Sequence, residues 1–445
     1  MRPKAQPNLR ISLVPTTFLV SLVALVIPPD DTPTFTKDIA PIVWKRCAGC
    51  HRAGEVGPFP LLSYEDVSKR ASFVKQVVEK RQMPPWKAAP GYGAFHNEQR
   101  LDEADVALIA RWVEEGCEQG DPKDLPAPPT FTQGWQLGEP DLILKMPTPF
   151  EVPASGGDVF RCFVIPTSLL EDKAVAAIEF RPGNPKVVHH ALFFLDSRGR
   201  ARERDAKDPE PGYPGFGGPG ILPTGMLGGW APGGGLKPLP EGMGRLLPKN
   251  SDLVLQLHYH PSGKLETDQS QIGLYFAKTP LSQTRILSAV ALADRAIDIP
   301  PGETDHRVTP REFVLPVDVQ AIGITPHMHW IGKEMKVWAT KPDGTNVPLI
   351  WINDWDFNWQ GNYLFAEPIP LPKGTRLHLE ARYDNSDKNP RNPSKPPVRV
   401  THGEQTNDEM CLCGIQVIPN DPAAYTDLRR ASLIYFLQTA RQRRP

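Results

Sequence analysis

The stretch Asp252-Leu253-Val254-Leu255-Gln256-Leu257-His258-Tyr259-His260 reads as a strand: a short apolar run too brief for a buried helix, ending in a His-x-His pair. Two residues apart on a strand, His258 and His260 leave the same face and can chelate one ion. Working outward, similar short apolar runs recur. The first set is Leu142–Lys145, 159–165, 174–180, 187–195 and Gln271–Phe276. The second covers 285–291, 312–315, 318–328, 334–340, 347–352, Arg376–Tyr383 and 410–417. Short strands at even spacing, punctuated by Pro and Gly, point to β-sandwiches rather than a parallel α/β sheet. The segment 209–244 is dense in Gly and Pro and reads as a long excursion loop between strands.

Composition agrees. The 445 residues suit two to four domains, and 51 prolines with 36 glycines and 8% aromatics suit a loop-rich β protein. Lys+Arg 50 against Asp+Glu 51 leaves a net charge of −1, so nothing argues for a nucleic-acid partner.

Arg2, Lys4 and Arg10 precede a mostly apolar stretch over 11–29, with no clear small-x-small site after it. It reads either as a cleaved export signal or as a retained membrane anchor. Both place the rest of the chain in a periplasmic or otherwise extracytoplasmic compartment.

From residue 35 to about 121 the pattern is helical. Helices are expected over 38–47, 63–80 (Val67, Phe73, Val74, Val77, Val78) and 102–115 (Val106, Leu108, Ile109, Trp112, Val113). A Pro-rich segment, 121–129, follows as a semi-rigid spacer that limits distance while permitting reorientation. The expected organisation is a signal or anchor over 1–30, a small all-α domain over 31–125, two all-β domains over 130–285 and 286–420, and a helical tail over 421–445 whose arginines form a solvated face.

Cys47-Ala48-Gly49-Cys50-His51 is the CxxCH signature of c-type haem attachment: two thioether bonds fix the haem and the histidine ligates its iron. A structural zinc half-site would want a second Cys/His pair nearby, and between 31 and 125 there is only His96. Met83, the only methionine of that stretch, is the expected sixth ligand, with His96 as the alternative. Of the four cysteines left, Cys117, Cys162, Cys411 and Cys413, sequence does not settle the pairing.

Six of the eleven histidines fall in pairs: His189-His190, His258/His260 and His327/His329. Three pairs in one chain read as metal ligation, since neutral imidazole suits copper, zinc and iron. His189 and His190 are adjacent, so both reach one metal only at a bulge or a strand end.

These residues carry a resemblance. Val187-Val188-His189-His190, Leu257-His258-Tyr259, Thr325-Pro326-His327-Met328-His329-Trp330-Ile331-Gly332-Lys333 and Asp408-Glu409-Met410-Cys411 occur in that order. They resemble the copper type II, ascorbate-dependent monooxygenases, the family of peptidylglycine α-hydroxylating and dopamine β-monooxygenases. The resemblance spans roughly 135–418, strong at these segments and weak between them. It implies two tandem jelly-roll sandwiches, each holding one of two copper ions across an open cleft. It further implies O₂ as co-substrate, hydroxylation of a C–H bond of a small organic molecule, and an ascorbate-like or respiratory electron donor. His189, His190 and His258 match the electron-donating copper; His327, His329 and Met410 match the oxygen-binding, catalytic one. His260 has no counterpart and stands as a residue that supports a ligand, a substitute ligand or a surface residue.

The peptide-amidating member holds its substrate's carboxylate with groups that here are Thr325, Leu412 and Gly414, which puts peptide amidation in doubt. Most of the family's disulfide cysteines are also missing. With the N-terminal haem motif, the parts resemble bacterial fusions of a c-type cytochrome with this monooxygenase pair. Two other classes stay open: a non-catalytic haem/copper electron-transfer or copper-binding protein, and a zinc hydrolase, against which the methionine ligand argues.

Overall fold

The computed structural model of the chain describes residues 32–441, apart from 56, 97, 133, 217, 232–237 and 404. The expected signal or anchor over 1–30 lies outside the described residues. Among those residues no helix is long and apolar enough to cross a membrane. The fold is mostly sandwiched β-sheet with few helices.

Short helices come first. A π-helical turn, Phe35–Ile39, leads into Ala40–Arg46. The stretch 63–80, expected as one helix, forms two, Tyr64–Ser68 and Ala71–Glu79. Ser63 caps the first of these through a reciprocal capping box with Asp66. In Glu103–Glu114, Asp102 caps the N-terminus and Val106, Ile109 and Trp112 recur at helical spacing and are buried. With Phe35, Ile39, Val43, Val74 and Val78 they build one small apolar core.

The first β unit stacks two five-stranded sheets. One runs Tyr213–Pro214, Val159–Pro166, Asp252–Tyr259, Val188–Asp196, Gly225–Trp230; the other Leu142–Lys145, Gln271–Phe276, Lys173–Arg181, Met243–Leu247, Arg285–Ile286. Phe163, Ile178, Phe193, Leu255, Leu257 and Ile272 fill the space between. The expected excursion loop over 209–244 is a correction: it contributes two strands to one sheet and begins a third in the other. Its glycines mislead because they answer a packing need. Gly228 takes φ +127° at a bulge opposite Phe193–Phe194, and a Cβ on Gly229 would lie 2.6 Å from the Leu192 side chain.

The second unit pairs the sheet Ser288–Asp294, Cys411–Pro419, Val319–His327, Tyr363–Leu371 with a sheet ordered His306–Val308, Arg376–Tyr383, Gly332–Thr340, Asn346–Ile352. The C-terminal helix Tyr425–Arg441 is packed on this unit: Leu428 and Tyr435 enter its core, and Tyr435 meets Phe313 edge-on at 5.3 Å. Leu239, Met243 and Leu287 of the first unit meet Ile322 and Ile418 of the second in a separate apolar seam.

The helical unit is tied to the second β unit well before the Pro-rich spacer. Phe95 stacks on Phe365 (5.6 Å), Trp86 meets Tyr363 edge-on (5.1 Å), and Ala94 and His96 pair through their backbones with Ala366 and Leu364. Free reorientation about 121–129 is therefore not how the chain is arranged. Phe95→Ala should cost about 3 kcal/mol in urea unfolding and open the 84–96 segment to proteolysis. An unchanged midpoint would show that this strap contributes no packing.

Candidate metal centres

His189, His190 and His258 come together in the first unit, with one ring nitrogen of each lying within 4.8 Å of the others. A register shift between Val188 and His190 against Asp252–Tyr259 turns both adjacent histidines toward His258. The ring centroids of His189 and His190 each stand 4.7 Å from that of His258. Phe160 stacks on the His258 ring at 4.2 Å, and Asp158 Oδ2 lies 2.8 Å from His258 Nε2. Nδ1 of His189 and both ring nitrogens of His258 are buried without a well-aligned hydrogen bond, the Asp158 contact included. Unmet imidazole nitrogens this close together fit a metal ion of borderline softness.

Burial holds the His189 pKa down to about 4, and the same cause, followed by the charges of His258, His189 and His327, holds His190 well below its ordinary value. The neutral, ligand-competent form is thus favoured at neutral pH.

In the second unit His327 ends its strand, and His329 sits two residues beyond, buried, with ring centroids 5.1 Å apart. Each Nδ1 is directed at an oxygen: Gln360 Oε1 at 2.5 Å from His327, the Asp408 carbonyl at 3.0 Å from His329. These acceptors take the Nδ1 protons and leave both Nε2 lone pairs for a metal. Met410 lies two residues after Asp408, whose carbonyl meets His329, and two before Leu412, which pairs with His327.

The segment is clamped by Glu409, a fully buried carboxyl that accepts the backbone N–H groups of His329 (2.8 Å), Ile331 (2.9 Å) and Met410 (3.1 Å). Burial pushes its pKa up to about 8 despite those donors. Phe357 packs on His329 and Trp330.

At the haem motif, Cys47 and Cys50 flank the helix end, and His51 Nδ1 lies 3.1 Å from the Phe59 carbonyl, which leaves Nε2 for iron. Gly57 allows the approach, since a Cβ there would lie 2.9 Å from His51 Nδ1. A cleft lined by Phe59, Lys69, Arg70 and Phe73 opens beside it. Met83 donates its N–H to Val77 O, and none of its hydrogen bonds reaches His51. His96 is exposed and clipped to Leu364 of the second β unit. All six cysteines are free thiols in this structure.

Sequence reasoning did not single out Asp158, Gln360 or a role for Glu409. Asp158 also lies 2.7 Å from Nδ1 of the exposed His260 and so joins it to His258. The contact with His258, ahead of that with His260, holds its pKa down to about 2. Asp158→Asn should weaken copper binding at this cluster 10- to 100-fold in a competition titration with a chromogenic chelator, leaving the other site unaltered. Equal loss at both sites would mean that the carboxylate is not specific to His258.

No family model matches the chain, and no curated protein matches it. Among solved structures it is similar to one of infectious bursal disease virus, Gx strain, at 10% identity over 64% of this chain and 73% of that one, with a TM-score of 0.18. Another is a two-domain protein of unknown function from Bacteroides fragilis, at 8% identity over 58% and 85%, with a TM-score of 0.12. Likenesses at these scores carry no argument about fold or function.

Proposed function

We propose that the chain is an extracytoplasmic copper monooxygenase that hydroxylates a C–H bond with O₂, two jelly-roll domains each holding one copper ion and a fused c-type cytochrome domain supplying electrons. The observation that carries this reading is the pair of histidine groupings, three rings in the first β unit and two in the second. The donor sets proposed for them differ as two redox roles require: three imidazoles in one, two imidazoles and the thioether of Met410 in the other. Copper at these centres would supply one-electron redox chemistry and O₂ activation, and haem held by Cys47, Cys50, His51 and Met83 would supply electron transfer.

The chain's own residues do the rest. Asp158 orients His258, Gln360 orients His327, and the Asp408 carbonyl orients His329. Glu409 locks the turn between His329 and Ile331 against Met410. The open face at Thr325, Leu412 and Gly414 leaves room for an organic substrate beside His327.

Metal quantification with optical and EPR spectra of purified protein tests the reading, followed by O₂ uptake with a reductant. Two coppers and one haem with substrate-coupled O₂ consumption are expected. Full loading without O₂ consumption across a substrate panel would instead mark a haem/copper electron-transfer protein, and zinc in place of copper would sink both.

A further inference from the structure

Arg245 projects from Met243–Leu247 into the seam between the β units and is 7% exposed. Its Nη2 donates to Gln416 Oε1 at 3.1 Å. No ion pair includes it among the described residues, and burial alone pulls its pKa to about 10, so it stays charged at neutral pH. A buried guanidinium without a counter-charge costs several kcal/mol, of which one neutral amide recovers only part.

The groups around it form a polar line. Gln416 Nε2 and Thr325 Oγ1 both donate to Asn362 Oδ1, at 2.8 and 2.9 Å, so Gln416 and Thr325 share a face. His327, two residues past Thr325, shares it too. Beyond Gln416 the seam is shut by Ile322 and Ile418 against Leu239 and Met243. Toward His327 it is open: Thr325 and Asn362 are exposed, and a Cβ on Gly414 would meet only the Thr325 carbonyl, at 3.9 Å. Gln416 pairs with Gly323, four residues before His327 and roughly 13 Å along the strand.

From this we infer that Arg245 is an anion-binding site at the closed end of a groove that runs to His327, and that the substrate is an organic acid. Its carboxylate pairs with Arg245 and its body lies over Gly414 and Thr325, reaching the His327/His329 end. Arginine suits the role because its planar donors match a carboxylate. The word substrate rests on the monooxygenase reading; the anion site does not.

Calorimetric titration of metal-free, full-length protein in a low-salt, halide-free buffer separates the two. Benzoate should bind one per chain, and benzamide, its neutral isostere, at least tenfold more weakly. Arg245→Met should abolish benzoate binding while leaving the melting temperature within a few degrees, because it relieves an uncompensated charge. Arg245→Gln gives a second, polar replacement with the same expected loss. Equal binding of benzoate and benzamide, no binding of either, or full benzoate affinity in the folded variants would overturn the site. Failure to consume O₂ with copper bound would instead count against the monooxygenase reading and leave the titration standing.

Discussion

Glu409→Ala should cost on the order of 5 kcal/mol and lower the copper content of the second centre alone. Three backbone N–H groups, of His329, Ile331 and Met410, end on this one buried carboxyl. Removing it leaves each without an acceptor in a place water does not reach, at about 1 to 3 kcal/mol apiece. These donors belong to the turn that carries His329 and to Met410 itself, so their release loosens the ligand set rather than the distant core. The first cluster draws its ligands from other strands and should stay loaded. Urea unfolding gives the stability change, and copper stoichiometry gives the selectivity. Loss of both coppers would mean that the two centres form one shared site. A variant as stable as wild type would mean that the clamp contributes nothing.

How much of this was legible depends on whether a residue's role shows in local pattern. The β architecture was, because short apolar runs such as Leu253–Leu257 are too brief for a buried helix and end at polar or turn residues. The histidine pairs were legible in part: the adjacency of His189 and His190 foretold the register shift found there, whereas His258 and His260, expected to chelate one ion together, separate into a buried ring beside His189 and His190 and an exposed one. Tyr363–Leu371 escaped because Pro368 and Pro370 argue against a strand. It lies at the sheet edge, where a missing N–H is tolerated. The groups that orient the ligands escaped for a different reason. Gln360 lies 33 residues from His327, and Glu409 lies 80 from His329. A lone Gln or Glu carries no spacing signal, and only the fold brings it to the ring it serves. The strap at 84–96 was hidden likewise, since Trp86, Ala88 and Phe95 read as part of a helical domain yet pack into the core of the second β unit.

The stability of metal-free protein should peak near pH 6.5 and fall on both sides, more steeply toward acid. On the acid side the cause is the buried imidazoles. His189 is held down to about 4 and His329 to about 3, burial being the first cause for each, and His190 and His327 are shifted the same way. In the unfolded chain an imidazole takes up a proton below about 6.5, whereas in the folded chain His189 does not until about 4 and His329 not until about 3. The unfolded state then binds more protons, so stability is lost as the pH falls from 6.5 toward 4. The amount is on the order of 3 to 5 kcal/mol for each of His189 and His329, which few domains survive. Asp158 adds to the loss only below its ordinary range, because its carboxylate stays ionised down to about 2. Glu409 works in the opposite direction. Its carboxyl is raised to about 8, so the folded state holds a proton that the unfolded state gives up from about 4.5 upward. That lowers stability as the pH rises toward 8, but one carboxyl is outweighed by four imidazoles until these finish titrating near 6.5. Melting temperatures of chelator-treated protein from pH 4 to 9 check the shape. Glu409→Gln, which cannot titrate, should flatten the alkaline limb and leave the acid limb intact. A curve that climbs steadily from pH 6.5 to 8 would show that Glu409 is already ionised and held by its three N–H donors. A flat acid limb would show that the histidines are not buried neutral, and the case for two preformed metal centres would lose its electrostatic support.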